Sequence, residues 1–277
     1  MKRRSNRTWA VLTYVPAVTW AIISLAPLLW ILMLSLKPQI EWNSFPPTLF
    51  PKDPTGSNYM SAAVNSPIVT YFTNSLIVTG VSLILSLLVG SLAGYALGRL
   101  SFPFRNAIFM AIFSVRMIPA LLTVIPLYVL MHSLGLLDSL AGIILVYTAT
   151  GIPMVIFVMK DFLEGLSKEI EEAAMIDGCS RMRIFFTILL PLVRPGLAAA
   201  AILVFVRTWN EFLIALTLTS SDGMRTIPVG LRSALGERMG EIGPMAAYTI
   251  IAIVPIIILF LFFQKHFVGG LSQGSSK

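Results

Sequence analysis

The chain has 277 residues, 56% hydrophobic and only 12% charged, with a net charge of +7. An ordinary soluble domain carries roughly a quarter of its residues charged, so this is a membrane-protein composition. Lys and Arg lie between long apolar runs instead of on one soluble face, which argues against nucleic acid, and the single cysteine, Cys179, allows neither an internal disulfide nor a thiolate zinc site.

A bilayer core needs about 20 apolar residues of helix. Cutting the sequence at its charges and turn clusters predicts six spans, at about 10–36, 68–98, 105–131, 139–159, 192–219 and 243–264. MKRRSNR followed by apolar sequence imitates a secretory leader, but the charge-free run from Thr8 to Leu36 is too long for one, and Pro27 blocks the nearest cleavage point. The run therefore reads as a retained first span. The second ends in VGSLAGYALG, whose small residues permit close helix contact. The third contains Arg116, Pro119 and Pro126.

Orientation follows the distribution of Lys and Arg. Residues 1–9, 99–105, 160–194 and 264–277 hold thirteen of them, whereas the opposite loops hold only Lys37, Lys52, Arg225, Arg232 and Arg238. Both termini are thus expected in the cytoplasm. The outer loop at 37–67 has six prolines and reads as an extended, ordered cap. Residues 220–244 are Gly-rich and read as a second exposed loop on the same side, with Gly223, Arg225, Arg232 and Gly236 as candidate contacts for a soluble partner.

The largest inner loop, 160–194, is the most charged part of an otherwise greasy chain. DFLEGLSKEIEEAAMID, from Asp161 to Asp177, is rich in helix formers and is followed by Gly178, suited to a left-handed C-cap. Ile170, Ala173, Ala174 and Asp177 share one small face at spacings of three and four. Ser180 is placed to cap a second helix with Phe185, Ile188 and Leu189 on one stripe. Helices lying on a membrane surface usually meet anionic lipid with Lys and Arg, but Glu169, Glu171, Glu172 and Asp177 outnumber Lys168 here. An acidic helix–turn–helix of this kind points to a basic protein partner.

The same residues carry a family resemblance. Glu-Ala-Ala, three residues, Gly, nine residues, Ile, one residue and Leu-Pro resembles the signature loop of permease subunits in bacterial ATP-binding-cassette importers, and falls on Glu172, Ala173, Ala174, Gly178, Ile188, Leu190 and Pro191. The longer carbohydrate-importer version also matches at Asp177, Gly178 and Ser180, with Cys179 in place of the usual Ala. SLKP at 35–38, AGYALGRLSFPFR at 93–105, RMIP at 116–119, TWNEF at 208–212 and FVGGLSQG at 267–274 resemble that carbohydrate branch too.

The resemblance implies an all-helical six-span permease with a coupling helix between the fourth and fifth spans, forming a single transmembrane domain over 1–277. It implies pairing with a second homologous permease, two cytoplasmic ATPase subunits that use ATP and Mg, and an extracytoplasmic solute-binding protein. Glu172 would pair with a basic ATPase residue, Ala173 and Ala174 would allow close approach, and Gly178 would make the turn. The solute would be a sugar or related solute, or alternatively a non-sugar solute such as a glycerol phosphodiester. No GxxxxGK[ST] stretch and no hydrolase or redox motif is present, so no cofactor and no catalysis are expected of this chain itself. A stand-alone secondary carrier is a weaker alternative, since inverted repeats are absent from the sequence.

Arg116, Arg207 and Glu211 fall inside predicted spans, where ionisable groups are costly. Arg207 and Glu211 are four apart and either pair with each other or, with Trp209 and Asn210, line the translocation path or support its gate. Arg116 lies about 16 Å into its helix from Arg105, near mid-bilayer, and is open to a path or a structural role. His132 and His266 sit at opposite membrane edges, which argues against a shared metal.

Overall fold

A computed structural model describes the backbone of residues 2–42, 44–64, 66–237 and 241–273, and the side chains of 14–42, 44–64, 66–234 and 241–262. The described chain is helical: α1 (Lys2–Ser35), α2 (Ser57–Val64), α3 (Ile68–Arg99), α4 (Arg105–Ser114), α5 (Ala120–Ser133), α6 (Leu140–Glu164), α7 (Glu169–Ile176), α8 (Arg181–Ile184), α9 (Leu190–Leu192), α10 (Arg194–Trp209), α11 (Leu213–Leu218), α12 (Ile227–Glu237) and α13 (Ile242–Gln273). Four segments are long and apolar enough to cross a bilayer singly: Tyr14–Ser35, Ile68–Arg99, Leu140–Glu164 and Ile242–Phe262. Two more candidates are bent pairs, Arg105–Met117 with Ala120–Ser133 at 100° and Arg181–Leu192 with Arg194–Trp209 at 80°.

Packing divides the chain into two units, Met1–Ile68 with Leu231–Val254, and Val69–Gly230 with Pro255–Lys277. In the first, the end of α1 is held by buried polar groups. Asn58 donates from Nδ2 to the carbonyls of Ser35 and Lys37, both at 2.8 Å. Lys37 is buried, but its ammonium donates to the Thr48 carbonyl and lies 5.2 Å from the centroid of the Trp30 ring. The Pro-rich segment is therefore tied back onto α1, and it contains a helix, α2, where an extended cap was expected. Ala62, Ile68, Ala234 and Tyr248 form this unit's apolar core.

The second unit is built on the small-residue stripe. Ser82 and Ser86 donate to the carbonyls of Ile144 and Thr148, at 3.3 and 3.2 Å. Farther along, a Cβ on Gly90 would meet Val155 at 2.5 Å, one on Gly94 would meet Met159 at 2.9 Å, and one on Gly98 would meet the Lys160 carbonyl at 3.4 Å. Positions four apart on α3 thus advance together with α6, so the two helices run parallel in close contact. The chain must travel from the end of α3 to the start of α6 between them. The bent pair α4–α5 accordingly traverses the unit and does not turn back to its own side.

The third predicted span breaks where its chemistry requires it. Ile118 is extended (φ −76°, ψ 120°) because it precedes Pro119, and a 3₁₀ turn, Val115–Met117, carries Arg116 into the bend. Against α6, α10 and α11 run the other way: Gly196 faces Phe162, Gly151 faces Val204, and Ile214 packs with Ile143 and Tyr147. α10 continues into α11 across an interruption at Asn210, and both pack on α6.

Residues 220–244 were expected to be a loop, and that expectation is corrected. Asp222–Met224 is a 3₁₀ turn, and Ile227–Glu237 is a helix with Ile227, Val229 and Ala234 buried. Gly230 is there for contact: a Cβ would lie 2.0 Å from the Tyr71 ring.

Candidate functional site: the acidic inner loop

The helix expected over Asp161–Asp177 is two helices. Asp161–Glu164 completes α6, and α7 starts at Glu169. Its first turn holds Glu169, Glu171 and Glu172, which suits the positive end of a helix dipole. Its far end closes as sequence reasoning expects. Gly178 is left-handed (φ +78°), its N–H donates to the Met175 carbonyl at 3.1 Å, and the Cys179 N–H donates to the Ala174 carbonyl at 3.0 Å. This is a Schellman cap. Ser180 then caps α8, accepting from the Arg183 N–H at 3.4 Å.

After α8 the chain forms a π-turn, Phe185–Leu189, in which the Leu190 N–H reaches the Phe185 carbonyl. Pro191 follows and has no N–H to donate to the carbonyl four residues earlier, so the ladder is re-registered just where a donor is missing. Phe185 and Leu189 are buried and Ile188 and Leu190 are partly buried against a core that includes Tyr95, Met159 and Leu163. Of the signature residues, Ile188, Leu190 and Pro191 are thus only partly exposed, and the first two pack on the chain's own core.

The two neighbouring glutamates diverge. Glu171 turns inward: Arg99 Nε lies 2.8 Å from its Oε1, with the two side chains only 3% and 14% exposed. Arg99 also donates from Nη2 to the Leu166 carbonyl at 2.9 Å, bracing both ends of the link between α6 and α7. Glu172 and Ala173 face out, as do Asp177 and Gly178, while Ala174 is buried against the chain's own core. The shared face expected for Ala173 and Ala174 is split accordingly: Ala174 lets α7 settle on its own unit, and Ala173 remains open. Arg99 was read only as a topology charge, and its pairing, 72 positions away in sequence, has no local signal.

At the opposite end of this unit, residues 220–226 are pinned to α3 and to the start of α6. Asn74 donates to the carbonyls of Gly223 and Arg225 at 2.8 and 2.9 Å, and Ser75 Oγ accepts from the Ile227 N–H. Asp138 accepts from the Ser220 and Ser221 N–H groups at 2.9 and 3.0 Å, and these donors hold its carboxyl below the usual range. Gly223 is exposed, Arg225 pairs with Asp222, Arg232 is exposed, and Gly236 lies in α12.

The expected Arg207–Glu211 pair is not formed, because the helix ends between them. Arg207 donates from Nη1 to the Thr150 carbonyl at 2.7 Å. Glu211 instead caps α11, accepting from the Ile214 and Ala215 N–H groups at 2.9 and 3.1 Å and from the Tyr147 hydroxyl at 2.6 Å. Trp209 is buried, stacked on Phe205 with centroids 5.7 Å apart and edge-on to Phe72. Asn210 is exposed and donates back to the Val206 carbonyl. Within TWNEF, the tryptophan and glutamate thus both make contacts inside this chain.

Residues 86–273 match the model of the family described as binding-protein-dependent transport system inner membrane component. The chain belongs to that family. The permease is 38% identical over 242 residues to the sulfoquinovosyl glycerol transport system permease protein of Agrobacterium fabrum, covering 87% of this chain and 85% of that one. It is 40% identical over 208 residues to the arabinooligosaccharides transport system permease protein of Halalkalibacterium halodurans, covering 75% and 74%. In fold it is similar to a solved bacterial ABC transporter involved in import of the acidic polysaccharide alginate, with a TM-score of 0.81 at 24% identity over 96% of this chain and 99% of that one. It is an inner-membrane component of an ABC transporter.

Proposed function

We propose that the permease forms, with a second homologous permease, the translocation path of an ATP-driven importer for a sugar or sugar-derived solute. The whole of 1–277 acts as one transmembrane domain with both termini cytoplasmic. The inner loop docks on one of two cytoplasmic ATPases, which bind the ATP and Mg that this chain does not. An extracytoplasmic binding protein delivers the solute near residues 220–244, of which 238–240 lie outside the described residues. The observation that carries this reading is the split at Glu171 and Glu172. One carboxylate fastens α7 to its own unit, and the next offers its charge outward beside the small Ala173 and the turn at Gly178.

A docked helix biases an equilibrium only if its partner's shape differs between two states, and an ATPase that closes on ATP supplies such a difference. Similar proteins named for sulfoquinovosyl glycerol and for arabinooligosaccharides support a sugar-derived solute. The test is reconstitution. The assembled complex in proteoliposomes should hydrolyse ATP several-fold faster when its loaded binding protein is added, and the purified permease alone should hydrolyse none. Hydrolysis by the permease alone, or uptake driven by an ion gradient in the absence of ATP, would contradict the proposal.

A further inference from the structure

Arg116 and Arg207 come from distant parts of the sequence and line one cavity of about 110 Å³, together with Thr150, Met154, Val204 and Thr208. Arg207 lies in the last turn of α10, where helix carbonyls offset part of its charge, and its Nη1 is fixed on the Thr150 carbonyl. Arg116 has no such compensation: its Nη1 is buried without a hydrogen-bond partner. No carboxylate lines the cavity, and Glu211, the nearest acid in sequence, is engaged by Tyr147 and the α11 backbone. Arg207 is exposed and Arg116 partly buried, and two like charges meeting at one cavity with a buried donor left open favour an anion from outside the chain.

We propose that this cavity is a subsite for the anionic group of an acidic sugar, a carboxylate or a sulfonate, during its passage. The inference rests on the importer reading. Both arginines stand at helix breaks, Arg116 in the 3₁₀ turn before Pro119 and Arg207 just before the interruption at Asn210. Irregular backbone at membrane depth is tolerated where it is packed in protein or lines a water-filled cavity, and broken helices mark the solute sites of transporters. The volume, about that of three or four waters, admits a charged group and its attached carbon but not a whole sugar ring. The guanidinium fork fits planar and tetrahedral oxyanions, and Arg207, braced on Thr150, is pre-set for one.

The assembled complex in nanodiscs is titrated with galacturonate, with a methyl 6-deoxy-6-sulfonate glucoside and with galactose. The expected result is at least tenfold tighter binding of one or both anionic sugars than of galactose, and which of the two binds identifies the anion. Arg116→Gln and Arg207→Gln each remove that preference and leave galactose unchanged, whereas Arg116→Lys keeps most of it. Equal affinities in the wild type, or equal loss for charged and neutral sugars, overturn the proposal. So does dissociation of the two permeases in Arg116→Gln, which would assign the arginine to an acid of the second permease. Binding needs no ATP. Charge-selective binding without ATP-driven uptake would therefore sink the importer reading alone.

Discussion

Glu172→Lys permease is expected to insert, to purify with its second permease, and to lose at least a hundredfold in uptake. Glu172 is exposed and makes no ion pair among the described residues. Its replacement therefore costs the fold little, within about 0.5 kcal/mol for a surface change of this kind. The charge reversal instead sets a cation against the basic ATPase residue proposed to meet Glu172, and like charges across an interface cost several kcal/mol. Uptake and ATPase assays on the reconstituted variant measure the effect, with thermal unfolding as the control. Normal uptake would remove Glu172 from the docking face.

One residue away, the expected failure is of the opposite kind. Arg99→Ala leaves the Glu171 carboxylate buried without its cation and frees the Leu166 carbonyl. Breaking a buried pair from one side costs about 3 kcal/mol, far more than the pair contributes relative to an apolar replacement. Hydrogen exchange over residues 166–177 should accelerate, and the melting temperature in detergent should fall. Arg99→Ala with Glu171→Gln should recover part of the loss, because the stranded charge is gone. Unchanged exchange in Arg99→Ala would show that the pair does not hold α7. Together the two variants separate anchoring from docking on adjacent carboxylates.

Local chemistry was the legible part of this chain. The Gly178 cap, the Ser180 cap and the small stripe on α3 are written in residues a few positions apart, and the structure forms each of them. What sequence spacing missed depended on breaks and on distance. The i, i+4 rule paired Arg207 with Glu211, but the rule holds only within a continuous helix, and this one stops at Asn210 so that Glu211 can cap the next. Gly-rich sequence after residue 220 suggested a loop, yet Gly230 serves contact with Tyr71 inside a helix. Arg99 looked like one more positive-inside charge. Only folding brings it to Glu171, and only folding reveals that Ala174 is needed at home while Ala173 is open.

If α7 faces an ATPase, it should feel that subunit's nucleotide state. Ile176, 87% exposed at the end of α7, is the position to probe. With Cys179 replaced by Ala, Ile176→Cys is treated with a short bifunctional thiol reagent in the assembled complex, without nucleotide and with ATP held unhydrolysed. The expected result is a cross-link to the ATPase subunit whose yield changes between the two conditions. A cysteine that never cross-links to the ATPase, and that an impermeant thiol reagent labels from outside intact cells, would contradict it.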